Sequence, residues 1–269
     1  MTLTFTILGC GSSMGVPRVA LGWGACDPAN PKNRRRRCSL LVERGNGDRR
    51  TSVLVDTSPD LREQLLTAEV RALDAVLFTH AHADHTHGID DLRPLFIQAR
   101  RRVDVYLDDA TARDVEAKFG YCFETPPGSE YPAIVSGHRI VPGGQLTIAG
   151  EGGPVAVLPV LQDHGPIQSL GYRFGGLAYS CDISGLPNES LGALAGLEVW
   201  IVDALRETPH PSHFSLSDAL AWIERVQPKR AILTNLHSDL DYEALRAKLP
   251  PHVEPAYDGM QIRLPAPAI

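Results

Sequence analysis

Long apolar runs, paired cysteines and an excess of positive charge are all missing from this 269-residue sequence. No stretch approaches the roughly 20 apolar residues that a membrane-spanning helix needs, so the sequence holds no candidate span. Five cysteines, Cys10, Cys26, Cys38, Cys122 and Cys181, are odd in number, widely spaced and without a CxxC pair. That argues against a disulfide framework and for a reducing compartment, with the cytoplasm as the expected location. The opening MTLTFTILGCGSS places Ile-Leu-Gly before Cys10 but has no basic segment and too short an apolar one for a secretory signal. Lys and Arg number 26 against 32 Asp and Glu. The resulting charge of −6 disfavours a general binder of nucleic acid or anionic membrane, although a local basic cluster can still hold one phosphate. Low-complexity linkers are missing too. The Pro/Gly-rich patches at 125–128 and 142–154 read as loops, so residues 1–269 are expected to form one domain.

What is there is a steady supply of short β-type runs. Leu3–Leu8, Cys38–Glu43, Val53–Asp56, Ala75–Thr79 and Val103–Leu107 come first. Leu146–Ile148, Val155–Leu161, Ser169–Phe174, Leu177–Ser180, Val199–Asp203 and Ala231–Asn235 follow. Helical periodicity falls between them, at Pro59–Leu66, Asp91–Arg100, Ala110–Phe119, Ser215–Val226 and Tyr242–Leu249. Ser215 or Ser217 would cap the fourth helix and Pro228 would stop it. Many strands with a few interleaved helices predict an α+β architecture of two packed sheets with helices on the outer faces.

One stretch, FTHAHADHTHGIDD, concentrates four of the ten histidines. Grouped imidazoles and carboxylates repel when charged and are costly when buried, and a shared cation turns that repulsion into coordination. His80 and His82, two apart after an apolar strand, point the same way, and a turn brings Asp84 and His85 to a neighbouring point. The plain alternative is a histidine-rich surface loop. His87 lies outside the pattern and is expected near the surface. Three further ligand-type residues sit at the ends of later strands: His164 in LQDHG, Asp182 in YSCDISG and His237 in LTNLHSD. Each alone reads equally as a loop or capping residue; together with the motif they predict a metal site.

The HxHxDH motif with His164, Asp182 and His237 resembles the metallo-β-lactamase superfamily in ligand order across nearly the whole chain. That resemblance implies a four-layer αββα sandwich, two mixed sheets face to face with helices outside, and a binuclear centre at one edge. It implies His80, His82 and His164 on one cation, Asp84, His85 and His237 on the other, and Asp182 bridging. Asp56, in VLVDTSPD, matches a strand-end aspartate that supports the histidine loop from behind; a cap for the helix near Pro59 is the other reading.

Two divalent cations about 3.5–4 Å apart activate a shared water and clamp the group it attacks, so Asp84 is counted as catalytic as well as ligating. Zinc and manganese both suit mixed imidazole and carboxylate ligation. His213, in HPSHFSLSDAL, resembles the general-acid histidine of the superfamily's phosphodiesterase branch, with His210 a weaker competitor. The opening LGCGSSMGVPR, the basic run Arg34–Arg37 and the closing AYDGMQI resemble the 5-phosphoribosyl 1,2-cyclic phosphate phosphodiesterase family. Ser12 and Ser13 would there offer hydroxyls and backbone N–H groups to a phosphate. The chain departs from that family twice. Only Cys26 and Cys38 stand in the window where relatives cluster cysteines around a structural zinc, and Asn235 stands where the last histidine ligand is usual. The expected activity is hydrolysis of a small cyclic ribose phosphate or nucleotide. A transfer-RNA 3′-processing nuclease and a nucleotide binder without turnover are the alternatives, and a homodimer is an assembly open to it.

Overall fold

Val53 and Val55 belong to one apolar cluster and Leu54 to another, and Ala75 and Leu77 part from Val76 in the same way. Val199 and Ile201 likewise part from Trp200 and Val202. Side chains that alternate in this manner belong to strands buried on both faces. The two sets that share a cluster meet between two sheets, and the remaining faces are covered by helices.

The computed structural model describes residues 2–46 and 49–267. The first sheet holds β1 (Thr2–Gly9), β2 (Ser39–Asn46), β3 (Arg49–Val55), β4 (Ala75–Leu77), β5 (Val103–Leu107), β6 (Val135–Arg139) and β14 (Gln261–Pro265), in the order β14-β1-β2-β3-β4-β5-β6. The second holds β7 (Leu146–Ile148), β8 (Val155–His164), β9 (Ile167–Phe174), β10 (Leu177–Ser180), β11 (Val199–Asp203), β12 (Arg230–Thr234) and β13 (Val253–Pro255), in the order β13-β12-β11-β10-β9-β8-β7. Each is mixed in the same way. Antiparallel pairing runs from β14 to β3 and from β7 to β10, and parallel pairing from β3 to β6 and from β10 to β13.

Helices α1 (Leu61–Thr67), α2 (Ala83–Thr86), α3 (Arg93–Ala99) and α4 (Asp109–Phe123) accompany the first sheet, and α5 (Leu216–Val226) and α6 (Tyr242–Lys248) the second. Leu61, Leu65, Ala112 and Val115 pack on the outer face of the first sheet, and Ala219, Ile223 and Leu245 on that of the second. This is the αββα sandwich expected from the resemblance. Ser215 caps α5, accepting from Asp218 N while Asp218 accepts from Ser215 N, a reciprocal capping box. The helix expected over Asp91–Arg100 is divided: a 3-10 turn at Ile89–Leu92 precedes α3, and Pro94 sits in the first turn of α3, where its missing N–H costs nothing.

Strands β6, β13 and β14 were not among the predicted elements. Two are the edges of the first sheet and one is an edge of the second. Edge strands bury one side and are short or polar, as in VSGHR and VEP, so the apolar pattern that marks a central strand is thin there. Among the described residues no helix is long and apolar enough to cross a membrane.

The two sheets are joined where the histidine loop begins. Tyr172 Oη donates to Phe78 O (2.6 Å), and Leu170 N donates to Thr79 O (2.8 Å). Beside that seam, Leu236 N donates to Cys10 O (2.8 Å), tying the loop after β1 to the loop after β12.

Candidate metal centre

The carboxyl ends of parallel strands gather the site, the usual place for function in sheets of this kind. Asp56 follows β3, and His80 and His82 follow β4, with Asp84 and His85 in the single turn of α2. From the other sheet come His164, the last residue of β8, Asp182 after β10, Asp203 at the end of β11 and Asn235 after β12. Asp56, Asp182 and Asn235 have φ of 63°, 56° and 60°. Asp and Asn tolerate this left-handed state better than most side chains, because a short polar group can bond locally.

Three imidazoles are held in one protonation pattern. Thr79 Oγ1 donates its only proton to Asp56 Oδ2 (2.8 Å), so His80 Nδ1, 3.0 Å from that hydroxyl, must be the donor between them. His85 Nδ1 donates to Asp56 Oδ2 (2.7 Å), and His164 Nδ1 donates to Ser212 O (2.6 Å). With Nδ1 committed in all three, Nε2 is the nitrogen turned toward the site, as in metal-ligating histidines. His80 Nε2 is buried and has no hydrogen-bond partner at all. An orphan of that kind is costly unless a cation accepts the lone pair.

Asp182 lies at the focus. Its Oδ2 is 3.6 Å from His80 Nε2 and 3.6 Å from His164 Nε2, and His164 Nε2 is 3.3 Å from His82 Nδ1. These separations are long for hydrogen bonds but close to the edge of a tetrahedron with bonds of about 2.0–2.1 Å, which is about 3.3–3.4 Å. Asp182 Oδ1 turns the other way, 3.4 Å from His85 Nε2, which is itself 3.4 Å from Asp84 Oδ2. The donor set therefore fits divalent cations: His80, His82, His164 and Asp182 on one side, Asp84, His85 and Asp182 on the other. Burial, aided by the neighbouring His85, keeps His80 neutral with its pKa well below the ordinary value. Burial disfavours a charged His85, but the carboxylates of Asp182, Asp84 and Asp56 outweigh it and draw a proton to the ring, one that a bound cation would displace.

His213 stands beside this cluster. Its Nδ1 is 2.7 Å from Asp203 Oδ2 and its Nε2 is 4.0 Å from Asp182 Oδ2. Burial opposes the charged imidazole, but the hydrogen bond and charge of Asp203 outweigh it and raise the pKa to about 9. Asp203, pushed up by burial against the pull of His213, sits at about 6, so the two form an ion pair at neutral pH. Asp203 was not among the predicted residues. The signal was present: VWIVD is an apolar run closed by an aspartate, the same pattern that marks Asp56. His210 packs against the His213 ring, with centroids 5.0 Å apart, and its Nδ1 accepts from Ser212 N. His87 is exposed and packs edge-on against Phe119.

His237 is not brought to the cluster, contrary to its expected place as the last ligand. Its Nε2 meets Arg18 Nη1 (2.8 Å) and its Nδ1 meets the Asp239 carboxylate, so both ring nitrogens are committed. Asn235, two residues earlier, occupies the place instead, and its Nδ2 donates to Asp182 Oδ1 (3.0 Å). Asp56 supports the loop from behind and does not cap α1, whose N-cap position is Asp60.

The basic run is mostly structural. Arg35 is 2% exposed and donates to His237 O, Leu240 O and Asn33 Oδ1. Arg36 pairs with Asp258, which also accepts from Cys10 N, and Arg37 pairs with Asp60. Ser12 is buried with no partner for its hydroxyl, while Ser13 is exposed. Ser13, Met14, Val19, Arg37, Pro59 and Ala83 line a recess of about 310 Å³ that reaches Asp84. A recess of about 340 Å³ at Arg93, Tyr121 and Tyr131 contains none of the clustered residues.

A family model described as a beta-lactamase superfamily domain matches residues 51–235. An octanoyltransferase from Porphyromonas gingivalis is 32% identical over 258 residues, which is 95% of this chain and 50% of that protein; the chain thus spans half the length of this relative. Among solved structures, a diphosphatase from the PhnP family superposes with a TM-score of 0.87 at 35% identity, covering 98% of each chain. Zn(2+)-bound PqqB from Methylobacterium extorquens superposes with a TM-score of 0.73 at 16% identity, covering 96% of this chain and 99% of that one, which is a likeness of fold.

Proposed function

The chain belongs to the metallo-β-lactamase superfamily, and from that membership and the geometry of the centre we propose a metal-dependent phosphodiesterase acting on a small cyclic ribose phosphate or nucleotide. Fold alone leaves the substrate open, so the reading rests on the site. The observation that carries it is the His213–Asp203 pair poised beside Asp182. A hydrolase whose leaving group departs as an alkoxide needs a proton donor there, and a buried carboxylate on Nδ1 leaves Nε2 as the end that gives the proton.

His80, His82, His164 and Asp182 would hold one divalent cation, and Asp84, His85 and Asp182 a second, with zinc or manganese suited to the donors. Bound there, the cations would supply an activated water and neutralise charge on the phosphoryl oxygens. The chain's own residues do the rest. Asp56 and Thr79 orient the imidazoles, and Asp203 fixes His213 with Nε2 toward the leaving oxygen. The recess at Ser13 and Arg37 is large enough for a ribose phosphate beside Asp84.

The diphosphatase relative cleaves a phosphorus–oxygen bond by name, which agrees in bond type. The Porphyromonas octanoyltransferase is twice as long as the segment it shares with this chain, so its name describes more than that segment. A nuclease that grips an RNA body is disfavoured by the charge of −6, by the burial of Arg35 and by the pairing of Arg36 and Arg37 with Asp258 and Asp60. The test is His213→Ala. Turnover of 5-phosphoribosyl 1,2-cyclic phosphate is expected to fall on the order of a hundredfold with bound metal unchanged. Undiminished turnover removes His213 from the chemistry.

A further inference from the structure

We infer that the two cation positions are unequal, one closed by four protein ligands and filling first, the other open and filling only at much higher free cation, because Asn235 stands where a further ligand would complete it. This rests on the reading that the cluster holds divalent cations. The difference is written on the two oxygens of Asp182.

Oδ2 faces the bare nitrogens of His80 and His164 at 3.6 Å each and receives no protein hydrogen bond from them, since each of those rings has committed its proton elsewhere. It is a carboxylate oxygen without a hydrogen bond, beside the partnerless Nε2 of His80 and the Nε2 of His164, whose other neighbour is His82 Nδ1 at 3.3 Å, and this convergence of donor atoms is the arrangement a cation requires. Oδ1 is already engaged. Asn235 Nδ2 donates to it at 3.0 Å and Cys181 Sγ donates at 3.1 Å, both from buried side chains. A cation near Asp84 and His85 must compete with two donors for that oxygen.

The ligand count points the same way. The first position has three imidazoles and a carboxylate oxygen. The second has one imidazole and the carboxylates of Asp84 and Asp182, with Asp84 on the solvent side at 17% side-chain exposure. The amide of Asn235 presents its nitrogen, a donor, toward Oδ1, and so supplies no lone pair in that direction. Among the described residues no other imidazole stands at Oδ1: His237 spends both nitrogens on Arg18 and Asp239, and His213 is 4.0 Å from Oδ2 with its Nδ1 on Asp203. Asn235 is also unable to swing aside cheaply, being 2% exposed, with φ of 60° and its amide packed against His213 Nδ1 (3.2 Å). The outcome is a centre whose second cation answers to metal supply.

The experiment is equilibrium dialysis of metal-stripped full-length protein against a manganese series, with manganese and protein both quantified. One tightly held manganese per chain is expected, and a second at about a hundredfold higher free concentration. Asn235→His should bring the second affinity at least tenfold closer to the first while leaving the first unchanged. Asn235→Asp, which keeps a residue tolerant of positive φ and replaces the donor with an acceptor, should do the same and covers the case in which the imidazole does not fit. Two cations of equal affinity in the unsubstituted protein would overturn the inference, as would an unchanged gap in both variants. A protein that binds no manganese would overturn both this inference and the metal centre itself. Unequal binding without phosphodiester turnover would sustain the inference and count against the proposed substrate alone.

Discussion

Asp56 is fully buried behind the site, yet its carboxylate decides what two histidines can do. It accepts from Thr79 N, Thr79 Oγ1 and His85 Nδ1, three donors on two oxygens. An asparagine there would keep the shape and tolerate the φ of 63° but offer a single acceptor. Either Thr79 or His85 would then face an N–H, and the cheapest relief is for His85 to accept at Nδ1 and carry its proton on Nε2. That proton would sit where a cation belongs. Asp56→Asn is therefore expected to weaken cation binding at the Asp84–His85 position by roughly 10–100-fold, with a stability cost of about 1–3 kcal/mol from the mismatched bonds. Elemental analysis of dialysed protein checks the first, and urea unfolding the second. Full retention of both cations would mean that His85 Nε2 is not a ligand. At this scale the sequence was informative about the histidine motif, because its spacing is local. It was misleading at His237, because whether a loop aims residue 235 or residue 237 inward depends on the left-handed turn at Asn235 and on the lure of Arg18 and Asp239. Asp239 is a near neighbour but Arg18 lies far away in the chain, and no spacing rule encodes that contact.

Strands at the sheet centres were legible, and three of the four edge strands were not. Central strands such as β4, β11 and β12 announce themselves as apolar runs, whereas β6, β13 and β14 at the sheet edges do not. The arginine run shows the opposite error. Arg34–Arg37 reads as a solvated or phosphate-binding cluster, but Arg35 is 2% exposed and clamps the segment after β1 to the segment after β12. Its guanidinium donates to His237 O (3.2 Å) and Leu240 O (2.7 Å), holds Asn33 Oδ1 (3.2 Å) and approaches Cys26 Sγ (3.8 Å). Planar charge with several donors suits a site where carbonyl groups converge. Arg35→Met would keep much of the packing volume and leave those carbonyls without their donor. The expected loss is about 3 kcal/mol, since bonds from a charged donor are worth about 1.5–3 kcal/mol and more than one is broken. Thermal unfolding should report it, while the affinity of the His80, His82, His164 and Asp182 position should hold. A variant as stable as the parent would show that the clamp is redundant with the backbone bond from Leu236 to Cys10.

The whole molecule is two sheets with a seam, and the candidate ligands lie on both sides of it. His80, His82, Asp84 and His85 follow strands of the first sheet, and His164 and Asp182 follow strands of the second. Protein hydrogen bonds already cross there, from Tyr172 to Phe78 and from Leu170 to Thr79, so the halves meet without help. A cation held by those residues would add a link across the seam that exists only in the folded chain, because the unfolded chain does not assemble those donors. Its contribution follows mass action and reaches about 4 kcal/mol when free cation stands at a thousand times its dissociation constant. For a chain of this size each kcal/mol moves the unfolding midpoint by roughly 2–4 °C, so stripping the cations with a chelator should lower Tm on the order of 10 °C. The fall should reverse on adding zinc or manganese. His164→Ala removes a candidate ligand from the second sheet and should erase most of the chelator effect. His213→Ala should leave that effect intact, because His213 reaches Asp182 from 4.0 Å and pairs with Asp203 rather than with the cage. If chelation left Tm unmoved in the unsubstituted protein, the cations would have to be bound too weakly to act as a cross-link. The buried, partnerless Nε2 of His80 would then be a cost that the fold carries unaided.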